Sequence, residues 1–325
     1  MGSDMFIKPV NVIKTGYSYI LSRITGQAGI SGMPVAVGIE ISGQCNLRCP
    51  ECSYGSGVMT RQKGLMDIAL FGKIIRELKP YLYNINLYFQ GEPMLHPRFF
   101  DFLEISRGTK VTVSTNGHFL SEENSEKLAR SGLKRIIVSL DGMDRETYSL
   151  YRQGGEFEKV ITGIEYVSQA IRSTGSSLKL EIQFLVNRYN ESQIPSAVRF
   201  SKEVNAVLRL KSMQIINKEH IDYWLPDDEK FKRYSKKNGN YTIKNTLANH
   251  CLRLWLNPII TWDGKVVPCC FDKDAVHIMG DMNERSFHDI WHGEKFKVFR
   301  GSVLKGRRTI EICNNCTSGL TGVTW

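Results

Sequence analysis

Cys45-Asn-Leu-Arg-Cys49-Pro-Glu-Cys52 places three thiols at a C-x3-C-x2-C spacing, directly behind the apolar run Val35-Ala-Val-Gly-Ile-Glu-Ile41. An apolar run that ends in a cysteine triad predicts a strand delivering a metal centre to its C-terminal end. Thiolates are the usual ligands of four-iron clusters. Three of them hold three irons and leave the fourth open to a small molecule. Structural zinc is the competing reading, but it prefers cysteine pairs closed into a tetrahedron by a fourth ligand nearby. The next histidine is His96, far along the chain. The spacing therefore favours iron and sulfur.

After Pro34 the pattern alternates. Strand-like apolar runs recur near 36–42, 84–89, 110–114, 135–139, 179–185 and 207–211, with helical patterns near 67–79, 98–106, 121–131, 157–173 and 192–204. Such alternation predicts parallel strands joined by crossover helices. Six units predict an α/β fold, a partial (β/α)6 TIM-like barrel. Barrels of this kind carry their chemistry at the C-terminal ends of the strands. The triad falls at such an end, and so do Gln90-Gly91-Glu92-Pro93, Ser114-Thr-Asn116-Gly117 and Ser139-Leu-Asp141-Gly142. Each alone reads as an ordinary turn, because Ser, Asn, Asp and Gly dominate turns. In register behind a cysteine triad they read as ligand contacts. Gly91 lets backbone approach a ligand closely, and Glu92 can pair with an ammonium group.

Taken together, these motifs resemble those of the radical S-adenosylmethionine (SAM) enzymes, over about Pro34 to Thr317. The resemblance implies a [4Fe–4S] cluster on Cys45, Cys49 and Cys52, with SAM chelated to the open iron. It implies reductive cleavage of SAM to a 5′-deoxyadenosyl radical that takes hydrogen from a substrate. It assigns Gln90, Gly91 and Glu92 to the SAM amino group, Ser114 and Asn116 to the ribose, and Ser139 and Asp141 with Arg152 to the carboxylate. Asn187, just past the fifth strand, is a further SAM or substrate contact. The family often has an aromatic residue before the third cysteine; here it is Glu51, which leaves one adenine contact open.

From Cys251 the character changes. Pro258-Ile-Ile-Thr-Trp262, Asp263-Gly264 and Lys265-Val-Val267 predict a hairpin with an Asp-Gly turn. Helical stretches follow near 286–292 and 294–304. Cys251, Cys269, Cys313 and Cys316 make a four-thiolate set, with Cys270 competing with Cys269 for one place. Zinc is a stronger rival here, since four cysteines can close a tetrahedron. The arrangement resembles the twitch domain, a shortened SPASM extension, and Gly264-x4-Cys269 matches its internal signature. The resemblance implies a small α+β domain holding one auxiliary [4Fe–4S] cluster. The expected organisation is an N-terminal extension over 1–34, the barrel over 35–216, a connecting segment or lid over 217–250, and the auxiliary domain over 251–325.

Composition sets the outer limits. The 325 residues are 42% hydrophobic, enough for a large core, and hold no apolar run long enough to span a membrane. No signal peptide is evident, so a reducing cytoplasmic setting is expected, in which eight cysteines point to metal and not to disulfides. The formal charge of +10 suits an anionic or carbohydrate-like small-molecule substrate and an acidic electron donor of flavodoxin or ferredoxin type. The basic residues are spread out, against nucleic acid. Phe6 to Ile24 mixes apolar residues with Lys8, Lys14 and Arg23. It reads as a helix capping the barrel, with peripheral membrane contact the rarer use of such a segment. His118, His250, His277, His288 and His292 have no companion pattern and read as ordinary surface or core residues.

Lys179-Leu-Glu181-Ile-Gln183-Phe and Arg209-Leu-Lys211-Ser-Met213 alternate polar and apolar residues. Polar alternation is unexpected on strands buried on both faces, which makes Glu181 and Lys211 candidate catalytic residues and Gln183 and Arg209 candidate lining. A solvated sheet face is the plain alternative. Within the family, the architecture is similar to that of the dehydrogenases that oxidise an amino-cyclitol alcohol in aminoglycoside pathways. That implies a radical SAM oxidoreductase acting on a carbohydrate- or cyclitol-like alcohol, with the auxiliary cluster as electron acceptor. A maturase of a ribosomally made peptide is the second reading, and a non-catalytic iron–sulfur electron carrier the third.

Overall fold

The computed structural model describes residues 4–317. In chain order its elements begin with α1 (Asp4–Thr25), β1 (Ala36–Ile39), α2 (Ile68–Leu78), β2 (Asn84–Asn86), α3 (Phe99–Ile105) and β3 (Lys110–Thr115). Next come α4 (Glu122–Arg130), β4 (Arg135–Ser139), α5 (Arg145–Tyr151), α6 (Phe157–Thr174), β5 (Lys179–Val186), α7 (Ile194–Glu203) and β6 (Val207–Ser212). The rest are α8 (Ile221–Trp224), β7 (Tyr234–Lys237), β8 (Asn240–Ile243), α9 (Arg253–Leu256), β9 (Ile259–Ile260), β10 (Lys265–Val267), β11 (Gly280–Asp281), α10 (Phe287–Trp291) and α11 (Glu294–Gly306). All six strand-like runs before residue 216 become strands. The five helical patterns between them become helices.

The chain forms two compact units that do not follow chain order: residues up to Gly43 with Arg61–Val111 and Leu247–Cys316, and Gln44–Thr60 with Thr112–Thr246. In the first, β1 pairs in parallel with both β2 and β9, while β10 turns back antiparallel against β9 and β11. The turn between β9 and β10 is the predicted Asp263-Gly264, with Gly264 at φ +88°. In the second unit, β4, β5 and β6 run parallel in order, with β4 also parallel to β3. Ile136, Ile137 and Val138 are consecutive and all buried, as expected of strands covered on both faces. Ser121 caps α4 by accepting from the Asn124 amide at 3.1 Å, and Gly175 ends α6 in the left-handed conformation.

The structure adds detail to two segments. Residues 217–250 are more than a polar connector: Lys236-Lys-Asn-Gly-Asn240 builds an antiparallel hairpin of β7 and β8, with Asn238 and Gly239 both at positive φ. An Asn-Gly turn favours that backbone. Trp224, Leu225 and Tyr234 pack into the same buried cluster as Leu47 and Cys49. The second concerns α1. It packs on its own unit through a polar face, with Asn11, Thr15, Ser18 and Ser22 buried and Phe6, Ile13, Tyr17 and Ile24 exposed. Among the described residues no helix is long and apolar enough to cross a membrane.

Candidate active site and iron–sulfur centres

The triad loop lies in the second unit and is tied down at both ends. The Cys52 amide donates to the Cys49 carbonyl at 3.1 Å, and the Arg48 amide to the Gln153 carbonyl at 2.9 Å. Gly55 folds the loop back so closely that an added Cβ would stand 2.4 Å from the Cys49 nitrogen. Cys49 is buried, and Cys45 and Cys52 pack half-buried against the cluster that holds it. Three N–H donors face the sulfurs: the Leu47 amide at 3.4 Å and Asn116 Nδ2 at 3.8 Å from Cys45 Sγ, and the Arg152 guanidinium at 3.8 Å from Cys49 Sγ. Burial pushes the Cys49 thiol up and Arg152 opposes it. Donors aimed at sulfur suit thiolate ligands, whose charge they stabilise.

Arg152 is the electrostatic anchor of this region. Its guanidinium grips Asp141 at 2.5–2.6 Å, and Asp141 also accepts from the Leu185 amide at 2.7 Å. Burial works against the Arg152 charge, but Asp141 and Cys49 outweigh it and hold Arg152 well above its usual value. Asp141 is fully buried, and its oxygens are spent on this pairing. It therefore positions Arg152. Burial pushes the Asp141 carboxyl up, opposed first by Arg152 and least by Lys211, which itself donates to Gln183 Oε1 at 2.5 Å. Asn187 is buried in a local loop: its Oδ1 accepts from the Tyr189 amide and its amide donates to Asn190 Oδ1.

Asn116 is buried and bridges the motif after β3 to the triad loop, donating to Asn46 Oδ1 at 2.7 Å. His118 holds its other end. The Glu156 amide donates to His118 Nε2 at 2.8 Å, so Nδ1 carries the proton and donates to Asn116 Oδ1 at 3.1 Å. Burial holds His118 below the ordinary imidazole value. Ser139 is buried and Ser114 half-buried at the ends of β4 and β3. Glu51 is fully engaged: it accepts from the Ile216 amide at 2.6 Å and from His220 Nδ1 at 2.7 Å. Glu181 lies differently from its expected role. It sits two residues into β5, with Arg135 at 3.6 Å and Arg209 at 3.5 Å. Arg135 opens β4, so this ion-pair group is at the N-terminal ends of the strands, away from the motif-bearing ends.

In the first unit, Gly91 has φ +75° and the Glu92 carboxylate is buried, accepting from the Met94 amide at 3.0 Å. The Gln90 amide donates to Glu40 at 3.2 Å. Glu40, a polar residue within the apolar run before the triad, is fully buried and gripped by both Arg61 terminal nitrogens at 2.5 and 2.7 Å. Arg61 further donates from Nε to the Lys273 carbonyl, and its amide to Asp274.

The second cysteine set is also in the first unit. Cys313 and Cys316 are buried. Cys269 is pushed well above its usual value by burial first and then by Cys270, Cys251 and Cys313. Arg307, itself buried, donates to Cys316 Sγ at 3.4 Å and to the His250 carbonyl at 2.8 Å. Cys270 instead accepts from Arg253 at 2.7 Å. Several thiols close to one another and to a buried cation, which lose their protons on binding metal, form a donor set that suits a cluster. Among the described residues no group of three or more His, Cys, Asp or Glu side chains is arranged to cage one metal ion.

A model of the radical SAM superfamily matches residues 39–183, and one of the SPASM iron–sulfur cluster-binding domain matches 251–317. The chain carries a radical SAM domain followed by a SPASM domain. This radical SAM enzyme binds a [4Fe–4S] cluster and SAM in its first domain and auxiliary iron–sulfur in its SPASM domain. It is 25% identical to the AdoMet-dependent heme synthase of Methanosarcina barkeri, over 88% of this chain and 92% of the relative. It is 24% identical to the S-adenosyl-L-methionine-dependent 2-deoxy-scyllo-inosamine dehydrogenase of Niallia circulans, over 86% and 91%. In fold it is similar to Streptococcus suis SuiB bound to precursor peptide SuiA, with a TM-score of 0.65 at 15% identity, covering 97% of this chain and 77% of that one. Its α/β fold is thus that of the radical SAM partial barrel, followed by the SPASM domain.

Proposed function

We propose that this enzyme oxidises a carbohydrate- or cyclitol-like alcohol to a carbonyl. The observation that carries the reading is the second cysteine set. Oxidising an alcohol removes a hydrogen atom from carbon, a proton from the hydroxyl and one more electron. That last electron needs an acceptor separate from the SAM site. Cys251, Cys269, Cys313 and Cys316 supply four thiols, a closed set with no vacancy for substrate. The cyclitol dehydrogenase relative, matched over most of both chains, supports the same class.

Bound to the triad and the quartet, the clusters and SAM supply a 5′-deoxyadenosyl radical and an electron acceptor. Cys45, Cys49 and Cys52 are the proposed ligands of the first cluster. Arg152, fixed by Asp141, presents a permanent cation to the SAM carboxylate. Asn116, fixed by His118, offers its amide to the ribose side. Lys211 and Gln183, already hydrogen-bonded to each other, are proposed to hold the substrate hydroxyl. Glu181, spent on Arg135 and Arg209, is given no catalytic part.

The test is anaerobic incubation of reconstituted enzyme, SAM and dithionite with a panel of amino-cyclitols and hydroxylated carbohydrates. A substrate should increase 5′-deoxyadenosine release and yield a carbonyl product lighter by two hydrogens. Lys211→Ala should slow product formation while leaving substrate-free SAM cleavage intact. Turnover only with a peptide or a tetrapyrrole would overturn the reading.

A further inference from the structure

Helix α1 is built inside out. Its buried row is polar: Asn11, Thr15, Ser18 and Ser22. Each is bonded to the segment that follows. Asn11 Nδ2 donates to the Met33 carbonyl at 2.9 Å and its Oδ1 accepts from the Met33 amide at 2.7 Å. Thr15 donates to the same carbonyl at 3.1 Å, the Ser18 and Ser31 hydroxyls share a bond of 2.8 Å, and Ser22 both donates to and accepts from Gly29. These bonds fix which face of the helix turns inward.

The opposite face is apolar and wet. Phe6, Val10, Ile13, Tyr17, Ile20 and Ile24 recur at alternating spacings of four and three residues, and all are 45–78% exposed. Leu21 widens the stripe at 43%. A surface helix normally turns such a stripe to the core. Scattered exposed apolar residues are ordinary, but a continuous stripe from Phe6 to Ile24 of a 22-residue helix marks an interaction surface.

Charge selects the occupant. Between Met5 and Thr25 the helix carries Lys8, Lys14 and Arg23 and no carboxylate. At helical spacing Lys14 and Arg23 fall on opposite borders of the stripe and both are exposed; the Lys14 stem can lie along apolar surface with its charge outward, while the Arg23 guanidinium lies over the Tyr19 ring, 5.7 Å from its centroid. A second copy of α1 would set like charges at the positions where paired helices carry complementary ones. An anionic lipid surface satisfies the stripe and both borders at once. We propose that α1 is an in-plane membrane anchor that seats the enzyme on an anionic bilayer, with the stripe at the acyl boundary and Lys14 and Arg23 among the headgroups.

Flotation of the full-chain holoprotein tests this, using vesicles of phosphatidylcholine alone or mixed in equal parts with phosphatidylglycerol. The protein should float with the mixed vesicles, less so as salt rises. Ile13→Asp with Ile20→Asp should abolish flotation while iron content and far-UV circular dichroism stay unchanged. Lys14→Gln and Arg23→Gln should each weaken binding roughly fivefold. Failure of the wild type to float, or flotation that survives the aspartates, would overturn the proposal. So would a dimer, by light scattering, that Ile13→Asp dissociates.

Discussion

At the scale of single residues, the centre depends on groups that carry no chemistry themselves. Gly55 leaves no room for a side chain, because backbone of Arg48 and Cys49 lies within 2.8 Å of where a Cβ would stand. Gly55→Ala should therefore displace the triad loop and lower iron bound at the first cluster, while iron at the SPASM quartet persists. Iron and sulfide counting on the variant, with the quartet cluster as internal standard, reads this directly. His118 makes a second prediction. Burial favours its neutral form in the folded chain, so the unfolded chain takes up a proton first. Its contribution is complete above about pH 6.5 and is lost as pH falls below that. The drop in denaturant midpoint between about pH 7.5 and about pH 5.5 should be smaller in His118→Gln than in the wild type. An equal drop would remove His118 from the account. The thiols and the Asn, Asp and Gly turns were legible because their chemistry is written in local spacing. Glu51, His118 and Gly55 were not, because their partners lie outside any local motif or are backbone atoms.

At the scale of elements, alternation and burial agree closely. Each strand before residue 216 begins within a residue of its apolar run, and β4, covered on both faces, has the continuous apolar sequence such strands need. What escaped was polarity inside that pattern. Glu40, within the run that becomes β1, reads as a lapse in an apolar stretch, yet it is the buried partner of Arg61 and an acceptor for the Gln90 amide. Removing one member of a buried ion pair strands the other, typically at about 3–5 kcal/mol. Glu40→Ala should lose stability in that range by anaerobic chemical denaturation, and a loss near zero would show the pair to be incidental. The β7–β8 hairpin escaped because its strands are half-exposed and polar, leaving only the Asn-Gly turn as a signal. The facing of α1 escaped because periodicity locates a helix's stripe without saying what covers it.

At the scale of the whole molecule, each compact unit carries one cysteine set, and the two sets differ in kind. As the proposed ligands, the triad would leave a cluster one ligand short, while the quartet would supply four thiols. In the proposed reading the radical chemistry depends on the open triad, and the Arg152–Asp141 and Asn116–His118 pairs, each with one member donating to a triad sulfur, support it. Asp141→Asn should leave first-cluster iron in place but weaken SAM binding, because Arg152 loses its charged partner. Equilibrium titration with SAM would show this as a raised dissociation constant at unchanged iron content. The most direct test is single-turnover SAM cleavage by anaerobic reconstituted protein reduced with dithionite, comparing wild type with Cys45→Ala. The account predicts 5′-deoxyadenosine and methionine from the wild type and neither from the variant. Equal cleavage by both, or none by an iron-replete wild type, would contradict it.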